Sequence, residues 1–519
     1  MACFAICVYG KGLEVTIAAE TKTIHIQYIT SPAAGALLWL APEQTASKQQ
    51  PFLFTQSEAP LARSWFPCQD SPGIRFTYDA TVKVPSNLLA VMSAGNNPIA
   101  KNDSGIYHFS QTNPIPAYLV ALAVGDIAFK KIDERCGIYA ELPMVDKVAW
   151  EFADNGKMVN AAEKLYGPYA WGRYDVLVLP PSFPFGGMEN PCLTFSTPTV
   201  IAGDRSLVTL VAHELAHSWS GNLITNATWD DFWLNEGFTI YFEQRIMEEV
   251  YGKSFSEMQA VLNVEDLKAI IADLGDTSRD THLKLNLENR DPDDGATDIA
   301  YDKGYLFLRL MENTVGRKAW DQFLKNYFAT YAFQSMTTEK FVDILNDNLI
   351  SKNKAAFAHI DINAWIYAPG LPSNAPQIIS ERFVAVEKEV EKFNAGAAPS
   401  ALASKNWSTH ETMHFINLLP RNLSIDKMKE LDATFHYTGI ANSEIAAVWY
   451  ILALQTHYTQ ANAAIEEFLM RVGRRKFITP LYKQMMKTEE GKKFAKAIYA
   501  KARPGYHSLA QDRLDAIVK

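Results

Sequence analysis

Cysteine is scarce in this sequence. The 519 residues contain five cysteines, at positions 3, 7, 68, 136 and 192, and they contain no C-x-x-C pair. A disulfide framework or a cysteine-based structural zinc module needs a denser and more regular set, so the sequence favours neither. Isolated thiols that are buried or half-buried suit a reducing compartment, and we therefore expect a cytoplasmic protein.

Long apolar runs and a strong charge of one sign are also missing. No run approaches the roughly 20 apolar residues of a membrane-spanning helix, and the opening MACFAICVYGKG lacks the basic start of a signal peptide. The formal net charge is only -9, which argues against nucleic acid or an anionic membrane as the main partner. We expect neither partner, and the sequence leaves the oligomeric state open.

The sequence does contain enough apolar residues, 48% of the chain, for several packed domains. Alternating apolar residues predict strands at 23–29 and 75–85, and residues 150–167 read as one helix. From about residue 378 onward only amphipathic helical stretches occur. We predict a multidomain α+β protein with a β-domain over 1–127, a mixed domain over 128–370 and an α-helical domain over 378–519.

The motif HELAH, at positions 213–217, carries the clearest chemistry. Residues four apart lie on one helix face, so His213 and His217 can direct both imidazoles at one zinc ion. Glu214 lies beside the first histidine and can reach a water molecule at the metal as a general base. The alternative is a polar helix whose histidines are satisfied by neighbours. This helix, predicted over 206–219, is otherwise apolar, so we expect it to be buried. Three polar side chains are costly to bury without partners, which favours the metal site over this alternative.

A second helix, predicted over 231–251, supplies a carboxylate ligand. Glu236 follows His217 by nineteen residues, and two histidines with one carboxylate leave a coordination position open, as catalytic zinc sites do. Glu243 lies seven residues after Glu236 on the same face. It can hold the second ring nitrogen of a zinc-binding histidine, and the alternative is a surface acid. With Asn235 as a further supporting candidate, we predict one zinc ion per chain.

Several motifs together resemble the gluzincin aminopeptidases of the aminopeptidase N family. They are GGMEN, HELAH, NEG, AYDKG and GRRKF, and the longer stretches LWLAPEQTASKQQPFLFTQSE and LPPSFPFGGMENPCLTFSTPT resemble the branch of leukotriene-A(4) hydrolase and aminopeptidase B. The resemblance runs through nearly the whole chain. It implies an N-terminal β-saddle, a thermolysin-like zinc catalytic domain and a C-terminal α-helical array. The implied activity is zinc-dependent removal of N-terminal residues from short peptides with a free N-terminus.

The resemblance also assigns residues that bind the amine end of the substrate. Glu58 and Glu189 match the glutamates that bind the free ammonium group in this family. Gly186 and Gly187 let the backbone approach an extended peptide closely, and Met188 belongs to the same substrate-binding motif. The alternatives are a turn for the glycines and a surface acid for Glu58.

Other matching residues are assigned to the reaction and to the rest of the peptide. Tyr301 matches the tyrosine that donates to the developing oxyanion, and an ordinary core tyrosine is the alternative. Arg474 and Lys476 match basic residues that hold the carboxylate of short peptides, and a solvated basic face is the alternative. Asp293 matches an aspartate that shapes the pocket for a basic first side chain.

Three positions depart from the leukotriene-A(4) hydrolase pattern. Ala296 and Phe185 stand where tyrosines are usual, and Glu58 replaces a glutamine. These changes weaken the alternative function, a bifunctional leukotriene-A(4)-type epoxide hydrolase/aminopeptidase, so we predict weak or no epoxide hydrolysis. A zinc endopeptidase would have no use for the two amine-binding glutamates. A non-catalytic scaffold would be free to lose Glu214 or Tyr301.

The resemblance begins near residue 12, as if the first strands of the β-saddle were missing. We therefore expect a truncated N-terminal β-saddle with an exposed sheet edge.

Overall fold

The N-terminal part of the chain is a β-domain. The structure, a computed structural model, describes residues 12–295 and 297–518. Six strands form this domain: β1 (Leu37–Leu40), β2 (Phe52–Thr55), β3 (Arg75–Lys83), β4 (Leu89–Met92), β5 (Ile106–Pro116) and β6 (Leu122–Gly125). Four of them make an antiparallel sheet in the order β1-β2-β6-β4, and β3 pairs antiparallel with β5.

The strand predicted at 75–85 is confirmed as β3, whereas the strand predicted at 23–29 is wrong. Residues 23–29 form no sheet hydrogen bonds with any described strand, and Ile24, Ile26 and Tyr28 are exposed. Alternation of apolar and polar residues fixes which face a strand would bury, but a strand also needs a neighbour for its backbone groups. Here that neighbour is lacking within the described ranges.

The middle of the chain mixes strands and helices. Its elements are β7 (Ile127–Lys131), β8 (Cys136–Glu141), α1 (Val145–Glu151), α2 (Asn155–Tyr166), β9 (Tyr174–Val178), β10 (Gly187–Met188), β11 (Leu193–Ser196), α3 (Thr209–Ala216), β12 (Ile224–Asn226), α4 (Trp233–Tyr251), α5 (Lys253–Leu274), α6 (Gly304–Val315), α7 (Arg317–Thr330), β13 (Gln334–Met336), α8 (Thr338–Leu345) and α9 (Ile362–Tyr367). Strands β7 to β11 form a mixed sheet in the order β10-β11-β9-β8-β7. A short parallel pair joins β12 to β13.

Three predicted helices differ from the observed ones. The helix predicted over 150–167 is two helices, α1 and α2, which are separated at residues 152–154. The zinc-motif helix is shorter than 206–219, because its C-terminal end tightens into i to i+3 bonds, from Ser218 N to Leu215 O and from Trp219 N to Ala216 O. The helix predicted from 231 begins at Trp233, since Trp229–Asp231 form a separate 3₁₀ turn.

The C-terminal part is an array of α-helices with a hydrophobic core of its own. Its helices are α10 (Glu381–Asn394), α11 (Thr409–Leu418), α12 (Ile425–Phe435), α13 (Ser443–Gln455), α14 (Asn462–Arg471), α15 (Arg475–Met485), α16 (Glu489–Ala502) and α17 (Ser508–Val518). The β-domain and the mixed domain share the other core. The predicted three-domain α+β architecture is confirmed, and we propose limits near residue 127 and between residues 370 and 378.

Helix α4 is the element around which the middle domain is built. Its residues from Trp233 to Met247 are all buried, so it packs against neighbours on every side. Helix α3 lies against it, and so does a π-helical turn, Ile299–Lys303. Along the described parts of the chain, no helix combines the length and apolar character needed to cross a membrane.

Candidate metal centre and substrate cavity

Helices α3 and α4 bring three potential ligand atoms to one point. His213 Nε2 lies 3.2 Å from His217 Nε2, and Glu236 Oε2 lies 3.4 Å and 3.5 Å from these two nitrogens. A tetrahedral zinc ion with bonds of about 2.0 to 2.2 Å would separate its ligand atoms by roughly 3.3 to 3.6 Å. The triangle therefore has the size of one face of a zinc coordination tetrahedron.

The far sides of the two imidazole rings show which nitrogens carry protons. His213 Nδ1 lies 3.0 Å from Glu243 Oε2, and His217 Nδ1 lies 2.9 Å from Asn235 Oδ1 and 3.0 Å from the carbonyl oxygen of Ser220. The carboxylate, amide and carbonyl oxygens accept, and the Thr239 hydroxyl, 3.0 Å from His217 Nδ1, can donate to the Ser220 carbonyl oxygen at 3.3 Å. Each Nδ1 therefore can donate, which leaves the lone pair of each Nε2 for a metal ion. Two lone pairs and a buried carboxylate face one another, and Glu236 Oε2 has no hydrogen-bond partner among the described residues. This donor set fits a zinc ion.

Glu214 lies beside the triangle, on the side that a substrate would approach. Its side chain is buried, and its carboxylate lies against Gly187 of β10. A β-carbon at Gly187 would be 2.1 Å from Glu214 Oε1, so the absence of a side chain there gives the carboxylate its place. One ligand atom each from Glu189, Glu214 and His217 also lie within 4.8 Å of one another. That second set shares His217 with the first and belongs to the same site.

Two carboxylates without partners mark one end of the cavity. Glu58 Oε1 and Glu189 Oε1 are buried, and neither has a hydrogen-bond partner in the described part of the chain. Burial raises the pKa of both side chains, and the neighbouring carboxylates add to the rise at Glu58. Two such groups side by side favour a cation between them. Met188 lies between Gly187 and Glu189 in the sequence, and its sulfur accepts from Gln56 Nε2 at 3.4 Å.

Tyr301 reaches the metal triangle from the π-helical turn Ile299–Lys303. Its ring stacks on that of His213, with centroids 6.2 Å apart. The turn can approach α4 because glycines meet there: a β-carbon at Gly237 would be 2.7 Å from the Cα of Gly304. Burial, together with the nearby Glu236 carboxylate, raises the pKa of Tyr301 well above its usual value. The phenol is therefore held in its proton-donating form.

Two basic residues, Arg474 and Lys476, line the same cavity. Arg474 Nη1 donates to Thr199 Oγ1 at 3.2 Å, and a β-carbon at Gly186 would be 2.7 Å from Arg474 Nη2. Lys476 Nζ lies 2.9 Å from both carboxylate oxygens of Glu444. Arg474 is thus held beside Gly186, directly before β10. Lys476 instead forms an ion pair with Glu444 of α13.

The remaining predicted site residues are placed less tightly. Asp293 is exposed at the edge of the same cavity, where its charge raises the pKa of Glu58. Phe185 also lines the cavity, and the guanidinium carbon of Arg475 lies 5.6 Å from the centre of its ring. Ala296 is outside the described residues, as are Cys3 and Cys7. The other three cysteines are free thiols, of which Cys136 and Cys192 are buried and Cys68 is partly buried.

All three domains contribute to this cavity, which has a volume of about 790 Å³. The β-domain supplies Gln56 and Glu58, the middle domain supplies the metal triangle, and the helical domain supplies Glu444 and the Arg474–Lys476 segment. Sequence reasoning missed Glu444 and Thr199. A single glutamate near the start of an apolar helix and a single threonine carry no motif, and only packing brings Glu444 to the cavity and Thr199 to Arg474.

Comparisons with known proteins agree with this arrangement. The profile described as "Peptidase M1 N-terminal domain" matches residues 13–119, "Peptidase family M1 domain" matches residues 150–365, and "Leukotriene A4 hydrolase, C-terminal" matches residues 407–518. The chain is 37% identical to leukotriene A-4 hydrolase of Xenopus laevis over 97% of this chain and 85% of that protein. It is 35% identical to aminopeptidase B of Rattus norvegicus over 96% and 80%, respectively.

A solved structure is also similar over most of its length. The structure of yeast LTA4 hydrolase in complex with bestatin superposes with a TM-score of 0.86 at 33% sequence identity, covering 94% of this chain and 81% of that one. The likeness therefore extends through the β-domain, the metal triangle and the helical array together.

Proposed function

The chain belongs to the M1 peptidase family and is a zinc-dependent aminopeptidase, and we propose how its residues carry out the reaction. The observation that supports the proposal best is the triangle of His213, His217 and Glu236 next to two unpartnered carboxylates. The triangle suits hydrolysis at a metal, and the carboxylates suit recognition of a free ammonium group. Its substrates are peptides with a free N-terminus, and we propose that these are short.

We propose that His213, His217 and Glu236 hold one zinc ion, with His213 oriented by Glu243 and His217 by Asn235. When bound there, zinc would supply a water molecule of lowered pKa and a Lewis acid for the scissile carbonyl. Glu214 takes the proton from the attacking water and delivers it to the leaving amine. Tyr301 donates its phenol proton in a hydrogen bond to the oxygen on which negative charge develops.

Glu58 and Glu189 make the enzyme an exopeptidase in this proposal. One oxygen of each, Oε1, is buried without a hydrogen-bond partner among the described residues, so binding a substrate ammonium would remove a cost that binding an internal peptide segment would leave. Because they lie next to the metal triangle, the first peptide bond is the one placed for attack. Gly186 and Gly187 let Arg474 and Glu214 pack directly against the backbone of this segment, and we propose that the extended substrate backbone runs along the same stretch beside Met188.

Two further roles concern substrate choice. We propose that Arg474 and Lys476 form the end of the cavity that receives the C-terminal carboxylate, which limits the substrate to short peptides. Asp293 favours arginine or lysine as the first residue, because its carboxylate lies at the edge of the cavity near Glu58. The free thiols of the described cysteines support the proposed cytoplasmic location.

One experiment tests the proposed function. An arginine-initiated tripeptide and its N-acetylated form would be incubated with the protein, with and without a zinc chelator, and the release of arginine would be followed. We expect release from the free-amine peptide only, abolished by the chelator and restored by zinc. Cleavage of the acetylated peptide would instead indicate an endopeptidase.

We also expect weak or no epoxide-hydrolase activity of the leukotriene-A(4) type. Phe185 and Ala296 have no hydroxyl group, and the resemblance to the leukotriene-A(4) hydrolase pattern implies tyrosines at these two positions. A high yield of the dihydroxy product from the epoxide would contradict this expectation.

A further inference from the structure

Glu444 is a charged residue of the helical domain that is built into the catalytic cavity. It lies in the first turn of α13, and its backbone N–H donates to Asn442 Oδ1 at 3.0 Å. Its side chain lines the cavity but is only 10% exposed. A largely buried carboxylate is costly unless it is paired. The groups that pair with the Glu444 carboxylate therefore indicate its role.

The carboxylate of Glu444 engages the two basic residues unequally. Lys476 Nζ lies 2.9 Å from each of its oxygens, while Arg474 Nη1 lies 3.8 Å from Oε1, beyond hydrogen-bonding distance. Lys476 also lies close enough to Asp266 and Asp298 to lower the pKa of each, although burial raises both overall. Lys476 therefore has the closer contact with Glu444, whereas Glu444 and Glu214 act on Arg474 through their charges.

A chain of hydrogen bonds fixes Glu444 relative to the metal helix. Asn442, which caps α13, donates from Nδ2 to Thr409 Oγ1 at 2.9 Å. Thr409 Oγ1 lies 2.7 Å from Ser206 Oγ, three residues before α3 begins. These polar contacts join the start of α13 to the segment that leads into the metal helix.

We propose that Glu444 is a specificity-determining residue that partly neutralises the basic pair of Arg474 and Lys476, and so sets how strongly this pair attracts the substrate's C-terminal carboxylate. This inference rests on the proposed function, because it concerns the carboxylate end of the same cavity. The negative charge of Glu444 also weakens carboxylate binding, which limits how tightly a short peptide or its product is held.

The test is an equilibrium binding measurement in the zinc-loaded protein carrying Glu214→Gln, so that no turnover is required. Dissociation constants would be measured by calorimetry for an arginine-initiated tripeptide and for its C-terminal amide. Adding Glu444→Gln should tighten binding of the free acid about fivefold, the effect of one unit charge at a few ångströms in a water-like environment. Binding of the amide should stay within about twofold. The affinity for the free acid should also fall more steeply with salt.

Two further variants test whether Glu444 acts through its charge. Lys476→Gln should weaken binding of the free acid, because it leaves Glu444 uncompensated beside Arg474. The double variant Glu444→Gln/Lys476→Gln should bind the free acid clearly better than Lys476→Gln alone, because a neutral pair has been removed together. The charge-preserving Glu444→Asp should stay close to the parent protein. The double variant also covers the case in which Glu444→Gln fails to fold.

Three outcomes would overturn the inference: weaker binding of the free acid by Glu444→Gln, a double variant as weak as Lys476→Gln, or equal binding of acid and amide by the parent. The failure of the proposed function would look different. In that case the protein with Glu214 intact would release no arginine, even though the free acid bound better than the amide.

Discussion

Gly187 lies directly against the carboxylate of Glu214, so that a β-carbon on this glycine would be 2.1 Å from Oε1 and 2.4 Å from Cδ. The two residues are 27 positions apart in the sequence, on β10 and α3. The glycine thus has a role besides making room for a substrate. It sets the position of the proposed general base.

Replacing Gly187 with alanine should therefore impair catalysis without removing the metal. Because the new methyl group must displace the Glu214 carboxylate, we expect kcat/KM to fall by about 10²-fold, the effect of moving a catalytic group by about 1 Å. Peptide hydrolysis and zinc content would be measured together. Gly95→Ala is the matched control, since a β-carbon at Gly95 meets no atom within 4 Å. A parallel loss of zinc in Gly187→Ala would contradict this explanation.

Glu243→Gln should weaken zinc binding. The carboxylate accepts from His213 Nδ1 at 3.0 Å, and a neutral amide holds that ring less firmly and makes its other nitrogen a poorer ligand. We expect the zinc dissociation constant, measured by competition with a chromophoric chelator, to rise about 10- to 100-fold. Glu257→Gln, on the partly exposed side of α5, serves as the control. An unchanged zinc affinity in Glu243→Gln would rule out this role.

Tyr301→Phe should lower kcat and leave KM nearly unchanged. The phenol contributes only as charge develops on the oxyanion, so its loss should cost about 10² to 10³ in kcat. Steady-state kinetics on an arginine-initiated tripeptide would measure both constants. Tyr305→Phe removes a hydroxyl from the buried neighbouring turn in α6 and should leave kcat near that of the parent. An equal loss in the two variants would indicate a general packing effect.

The buried His507 should make the protein less stable in acid. Burial, with a contribution from Arg475, lowers the pKa of His507 to about 4, and its Nδ1 accepts from the backbone N–H of Leu509 at 3.1 Å. An unfolded chain takes up this proton near pH 6.5, so the free energy of unfolding falls as the pH drops from about 6.5 to about 4. The total loss from this residue is at most about 3 kcal/mol.

Thermal unfolding between pH 7.5 and pH 4.5 would measure this effect. His507→Asn cannot take up the proton, so its midpoint should depend less on pH than that of the parent, although packing against Phe54 is lost at every pH. The exposed His25→Asn is the control and should keep the parent slope. An identical slope in His507→Asn would show that other groups cause the acid sensitivity.

The fold was predictable where the pattern was local and long. Apolar periodicity within short segments predicted the helical C-terminal part, the strand β3 and the two helices of the metal motif. The errors came where a long-range partner decided the outcome. Residues 23–29 alternate like a strand but pair with no other described segment, and one predicted helix breaks at residues 152–154.

The sequence by itself determined the histidine pair and the neighbouring glutamate of HELAH, because helical geometry places residues four apart on one face whatever surrounds them. It also pointed to Glu236, Glu58 and Glu189, through motifs that are readable in the printed chain. Only the tertiary structure decided that Gly187 positions Glu214. It also decided that both carboxylate oxygens of Glu444 lie within hydrogen-bonding distance of Lys476 Nζ. These contacts join residues far apart in the chain. Their distances depend on how whole helices and domains pack, which no local pattern records.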